Sequence, residues 1–183
     1  FSYMQNREGS SVYIRLSTRN IPQIKREINK SLEEKILSGG YWLEKPKNKS
    51  NITIVFSGVI APEVLEAARL IKEDDVNVSI LIITSSDRLY KNWKLSQKER
   101  SKGIKMISRI DELFSDTLDD SAIVSVIDAH SSSLTWIGGA VGKKIVSLGV
   151  DEFGQSGNLK DLYQNYSIDA DAIIDACAQV LSN

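Results

Sequence analysis

The sequence predicts an α/β protein, a three-layer α/β/α sandwich around a five-stranded, mostly parallel mixed sheet. Three observations lead there. Apolar runs of strand length recur with helix-period segments between them, the pattern of a parallel sheet with helices on both faces. Two of the runs, Val76-Asn-Val-Ser-Ile-Leu-Ile-Ile83 and Ala122-Ile-Val-Ser-Val-Ile127, are nearly continuous, as strands buried on both faces require. Glycines and prolines fall between the runs, with Pro62 where a helix would start.

Taken in order, Ser11-Val-Tyr-Ile-Arg-Leu-Ser17 alternates apolar and polar residues and reads as a strand, closed by Pro22. Lys25 to Leu37 is charged and weakly amphipathic, a linker with some helix that ends at Gly39-Gly40. Gly40-Tyr-Trp-Leu-Glu-Lys-Pro46 is a short strand, and Ile52-Thr-Ile-Val-Phe56 the next. Val64, Leu65, Ala68, Leu70 and Ile71 then keep helical spacing. After the strand at 76–83, residues 85–103 are polar and rich in Lys and Arg, anchored by Leu89, Tyr90, Trp93 and Leu95. Met106 to Phe114 is a short helix and 122–127 a strand. Leu134 to Val141 is a Gly/Ala-rich helix, and Lys144-Ile-Val-Ser-Leu148 the last strand. Helices near 158–166 and 169–181 finish the chain, the first capped by Ser156 or Asn158 and the second by Asp169. Residues 46–183 are expected to form the compact unit and residues 1–40 to pack loosely or against another chain, with proteolysis starting between Lys25 and Lys35.

At 183 residues, 42% apolar and 26% charged, the composition is that of a globular domain with an appendage. No apolar run is long enough to span a bilayer and no signal-peptide pattern opens the chain, which begins with Phe1 as a fragment would. Cys177 is alone, so no internal disulfide forms; its helical surroundings predict a buried, inert thiol, and a reducing, cytoplasmic compartment fits. His130 is the only histidine, which argues against a zinc site. Residues 1–50 carry ten Lys/Arg against five Asp/Glu, and residues 119–183 three against nine. That asymmetry suits either two partner-facing surfaces or ordinary solvated faces, and is too mild for nucleic acid. Gly138-Gly-Ala-Val-Gly142 lies inside a helix-like segment, so it is no dinucleotide fingerprint.

Candidate ligand residues cluster at strand ends. Asp128 and His130 follow a buried strand at its carboxyl end, the edge where open α/β sheets bind ligands. Ser57, Thr84 and Ser85 end neighbouring strands and would line the same crevice, where helix N-termini favour an anion. The same residues serve equally as helix caps and loop ties. Arg15 and Arg19 share one face of a strand and suit a subunit contact, a cleft near an active site, or plain surface. The basic stretch Arg88 to Lys105 reads as a docking surface for an acidic partner or as a solvated loop and helix.

Five stretches in chain order resemble one family. They are Ser11-Val-Tyr-Ile-Arg-Leu-Ser-Thr-Arg19, Ile54-Val-Phe-Ser-Gly-Val-Ile-Ala-Pro-Glu-Val-Leu-Glu-Ala-Ala68 and Ile83-Thr-Ser-Ser-Asp-Arg-Leu-Tyr90. Val126-Ile-Asp-Ala-His-Ser-Ser-Ser-Leu-Thr-Trp136 and Val146-Ser-Leu-Gly-Val-Asp-Glu-Phe-Gly-Gln-Ser-Gly157 follow. Together they resemble the C-terminal end of the single-chain bacterial pyruvate dehydrogenase E1 components, thiamine-diphosphate enzymes of the transketolase superfamily. The resemblance implies that residues 1–22 end a pyrimidine-binding domain, 23–40 form a linker and 41–183 form the C-terminal domain, whose first strand runs antiparallel to the rest. It implies a homodimeric parent that uses thiamine diphosphate and Mg²⁺ to decarboxylate pyruvate and passes the acetyl unit to a lipoyl-bearing E2 partner. This stretch would then be structural and dimer-forming. No Gly-Asp-Gly…Asn element for metal and diphosphate is present, and no catalytic, cofactor-binding or metal residue is assigned within it. In the best-studied long E1 proteins a histidine follows the strand at 11–17; Asn20 is the nearest match here. That departure keeps a transketolase transferring two-carbon ketol units as an alternative, and a stand-alone α/β binding module as a second. Phe153, the one large apolar residue between the last strand and the next helix, is expected to anchor its turn in the core, with Gly154 and Gly157 in backbone conformations costly for other residues.

Overall fold

The structure is a computed structural model that describes residues 2–9, 11–14, 16–17, 19–46, 50–117 and 120–182. The short helix α1 (Ser2–Gln5) is followed in the element order by α2 (Lys30–Leu37), with the Asn29 side chain accepting from the Leu32 N–H at 2.9 Å. Five strands form one sheet: β1 (Gly40–Glu44), β2 (Ile52–Ser57), β3 (Val78–Ile83), β4 (Ala122–Ile127) and β5 (Ile145–Leu148). Their order is β1-β3-β2-β4-β5, with β1 antiparallel to β3 and every other pair parallel. The helices between them are α3 (Ala61–Glu73), α4 (Ser86–Ser101), α5 (Arg109–Phe114) and α6 (Ser132–Val141). After β5 come α7 (Leu159–Asn165) and α8 (Ala170–Ser182). The predicted three-layer α/β/α fold with a mixed, mostly parallel sheet is therefore the observed one.

Strand alternation divides the core in two. Ile52, Ile54, Phe56, Ile80, Ile82, Val124 and Val126 face α3, α7 and α8. Val55, Leu81, Ile83 and Ile123 face α4, α5 and α6 through Leu89, Ile110, Leu113, Leu134 and Ile137. Burying each such side chain stabilises by about 1.5–3 kcal/mol, which explains why β2, β3 and β4 contain almost nothing polar. The polar exceptions satisfy one another: Thr53 and Ser79 are 2.9 Å apart, as are Ser125 and Ser147.

Helix ends are set by local chemistry. Pro62 stands in the first turn of α3. Ser108 and Asp111 form a reciprocal capping box on α5. Gly142 closes α6 at φ +68°. Asn158 caps α7 through the Lys160 N–H, and Asp169 caps α8 through the Ala172 N–H at 3.0 Å. Cys177 is buried on α8, and burial pushes its thiol up to about 12. Among the described residues, no helix is long and apolar enough to cross a membrane.

Two expectations fail. Residues 11–14 and 16–17 form no strand; Tyr13, Ile14 and Leu16 are 89%, 70% and 80% exposed. The alternation is right for a strand, but no neighbouring chain segment offers a ladder, and β-structure without a partner leaves every backbone group to water. The second failure is Phe153, which is 94% exposed. Residues 151–157 swing outward after β5, and a tyrosine replaces Phe153 as anchor. Tyr166 Oη accepts from the Gln155 N–H at 2.9 Å and donates to the Phe153 carbonyl at 3.1 Å. Nor do Gly154 and Gly157 take positive φ; the glycines that do are Gly39, Gly58, Gly103 and Gly142.

Candidate functional site

The carboxyl ends of β2 and β4 are neighbours, with Ser57 paired in register to Ile127. The chain crosses from β2 to β3 on one side and then from β3 back past β2 to β4 on the other, so the edge between β2 and β4 is a topological switch point, where open α/β sheets hold ligands. A cleft of about 590 Å³ opens there, lined by Ser57, Gly58, Val59, Ile127, Asp128 and Ala129, with Leu16 and Ser17 as its outer wall. Ser57 and Asp128, both expected at this edge, thus meet in one cleft.

The other three expected residues go elsewhere. Thr84 donates to the Ile36 carbonyl at 2.6 Å and ties β3 to α2. It lines a second, smaller cleft of about 230 Å³ beneath residues 21–24. Ser85 donates to Asp87 Oδ1 at 2.6 Å in the first turn of α4. His130 turns away into the β4–α6 loop, where its Nδ1 is 2.9 Å from Ser132 Oγ and 3.5 Å from Asp151 Oδ1. Asp151 itself accepts from the Ser131 N–H and hydroxyl, both at 2.8 Å. Those two bonds, the backbone one first, hold its carboxyl below the usual range. Gly149 makes this possible: a Cβ there would lie 2.6 Å from the Ala129 oxygen and the Ser131 nitrogen, so only glycine lets the β5–α7 loop come so close.

Of the arginines, Arg15 lies outside the described residues. Arg19 turns inward to a set of partners the sequence did not reveal. Its terminal nitrogens donate to Glu63 Oε1 and Oε2 at 2.9 and 3.2 Å, and its guanidinium lies 5.4 Å from the centre of the Tyr163 ring. Glu63 keeps the guanidinium proton more tightly held than usual, against the opposing effect of burial. Tyr163 Oη donates to Asp128 Oδ2 at 3.0 Å. Burial first, then the charge of Asp128, push that phenol up to about 12. Asn20, the nearest match to the expected histidine, is exposed beside this cluster. Glu63 follows Pro62 in the first turn of α3, and nothing in the sequence links it to Arg19 or Tyr163.

Chemically this edge holds a paired guanidinium, a carboxylate bonded to a protonated phenol, and a serine with no base beside it. Among the described residues no three Asp, Glu, His or Cys side chains come together. Part of the basic stretch from Arg88 to Lys105 is committed: Lys91 pairs with Asp87, Arg100 with Asp111 and Lys102 with Glu99.

An antiparallel edge strand on an otherwise parallel sheet, with a polar cleft at the β2/β4 switch point, defines an open, mixed α/β domain. The sequence model of the transketolase-like C-terminal domain matches residues 39–169, and the chain belongs to that family. Solved structures agree on the fold. A transketolase variant from Pichia stipitis is 18% identical, with a TM-score of 0.61 over 90% of this chain and 20% of its own. The transketolase of Campylobacter jejuni is 19% identical, with a TM-score of 0.54 over 80% of this chain and 19% of its own. A split-gene transketolase described as an inactive β4 tetramer is 17% identical, with a TM-score of 0.56 over 78% of this chain and 42% of its own. This chain thus spans less than half the length of each. Among curated proteins, no sequence matches significantly.

Proposed function

We propose that this chain is the C-terminal part of a thiamine-diphosphate-dependent pyruvate dehydrogenase E1 component, and that it contributes structure and dimer contacts rather than catalytic groups. In this reading residues 1–22 end the pyrimidine-binding domain, 23–40 link, and 41–183 form the C-terminal domain. The parent is a cytoplasmic homodimer that binds thiamine diphosphate and Mg²⁺ outside this stretch, decarboxylates pyruvate and acetylates a lipoyl group on E2. The observation that carries the reading is the conjunction of the family's fold with five E1-like stretches in chain order. The exposed apolar residues Tyr13, Ile14 and Leu16 support it, since a strand lent to a neighbouring domain would be bare here.

A second reading, a transketolase transferring two-carbon ketol units, is favoured by the transketolases among the structural neighbours. The test uses the whole protein that contains this chain, loaded with thiamine diphosphate and Mg²⁺. Pyruvate-dependent reductive acetylation of a lipoyl domain is the expected result. Ketol transfer from a ketose phosphate to an aldose phosphate, with no reaction of pyruvate, would replace the first reading by the second.

A further inference from the structure

The groups around Arg19 form a seat that does not depend on the segment carrying it. Glu63 comes from α3, Tyr163 from α7 and the Val59 carbonyl from the short turn after β2. Tyr163 is 4% exposed and is fixed from behind by its bond to Asp128. The carboxylate meets both terminal nitrogens of the guanidinium, the ring faces its plane, and the Val59 oxygen accepts from Nη1 at 3.5 Å. The ion pair is largely withdrawn from water, its side chains 24% and 18% exposed. A forked carboxylate plus an aromatic face suits a planar, delocalised cation; a compact ammonium uses it less well.

We propose that Glu63, Tyr163 and the Val59 carbonyl form a guanidinium receptor at the carboxyl edge of the sheet, and that Arg19 is its tethered ligand. By occupying it, Arg19 latches residues 19–26 across the edge as a strap. The strap's other contacts agree. Ile24 packs against the core, and Arg26 lies over the ring of buried Tyr41, 5.4 Å from its centre, at the far end. Between them Ile21, Pro22 and Gln23 roof the cleft over Phe56 and Ile82. The latch thereby fixes the direction in which the preceding segment leaves the domain. The tether makes docking of Arg19 intramolecular, and its seat opens to a free guanidinium when Arg19 is removed.

The experiment compares the full chain with Arg19→Ala, Arg19→Ala/Glu63→Gln and Arg19→Lys, each checked for folding by circular dichroism. The probe is methylguanidinium, followed by titration, with methylammonium as the control. Arg19→Ala is expected to bind methylguanidinium saturably at millimolar concentration and about tenfold more tightly than methylammonium, while the unaltered chain and the double variant bind neither. Tryptic cleavage after Lys25 and Arg26 should run about tenfold faster in Arg19→Ala than in the unaltered chain, from loss of a charge-assisted bidentate contact. No saturable binding to folded Arg19→Ala, or equal binding of both cations, overturns the receptor. Unchanged cleavage overturns the latch. If Arg19→Ala fails to fold, Arg19→Lys decides: a lysine that protects the strap as well as arginine does contradicts the proposal.

Discussion

The central strands and the segment before residue 30 are built from similar sequence and meet opposite fates. Val78-Ser-Ile-Leu-Ile-Ile83 is buried at every position, with ladders to β1 and β2. Val12-Tyr-Ile alternates no worse for a strand, yet Tyr13 and Ile14 stand in water. The difference lies in partners. A β-propensity is a preference for a half-buried pleated surface, and it is realised only where another strand closes the ladder. The amino-terminal segment is instead held through side chains, Arg19 on Glu63 and Tyr163 and Arg26 on Tyr41.

The sharpest way to break this contrast is truncation on both sides. Ile54→Ala and Leu81→Ala, each at fully buried positions, should cost about 2–5 kcal/mol in denaturant melts. Ile14→Ala and Leu16→Ala should stay within about 0.5 kcal/mol. Comparable losses on the two sides would mean that residues 11–17 are folded against something.

Titration extends the comparison to alkaline pH. The Cys177 thiol is pushed up to about 12 by burial, so the folded state keeps a proton that the unfolded chain releases from about pH 9. Stability from this group is therefore whole below pH 9 and declines as pH rises toward 12, by on the order of 4 kcal/mol. Tyr163, also raised to about 12, adds a loss of the same sign from about pH 10. Melts from pH 8 to 11.5 should fall less steeply for Cys177→Ala than for the unaltered chain. Parallel curves would show that the thiol is not buried as described.

Adjacent glycines in α6 give a finer version. A Cβ at Gly138 would lie 2.5 Å from Ile145 Cγ2, whereas at Gly139 it meets nothing within 4 Å. Gly138→Ala should destabilise by about 1–3 kcal/mol and Gly139→Ala should stabilise by about 0.5–1 kcal/mol, read as opposite shifts in the unfolding midpoint. The smallest contrast is in the turn after β5. Tyr166→Phe removes the hydroxyl that holds Phe153 and Gln155 and should cost about 1 kcal/mol. Phe153→Ala, at an exposed side chain, should leave stability within about 0.5 kcal/mol. A larger loss for Phe153→Ala would put that ring inside an interface.

These contrasts also mark where sequence ceases to inform. The apolar runs at 76–83 and 122–127 announced buried strands because a strand buried on both faces has little room for polar residues. Pro62, Asn158 and Asp169 announced helix starts through chemistry confined to one turn. Ser57 and Asp128 were legible as carboxyl-edge residues, and parallel neighbours brought them together. His130 was not, because the backbone contact of Gly149 with the β4–α6 loop delivers Asp151 beside it. Phe153 misled for the same reason as residues 11–17: hydrophobicity states a need for burial and says nothing of the surface that meets it. Glu63 and Tyr163 lie far from Arg19 in sequence, and only the packing of α3 and α7 made them one site.

We propose that this transketolase-like C-terminal domain holds no cofactor of its own. Calorimetric titration of the chain with thiamine diphosphate and Mg²⁺ tests it most directly. The account predicts no saturable heat. Saturable binding at micromolar concentration would contradict it and place the diphosphate on residues of this chain.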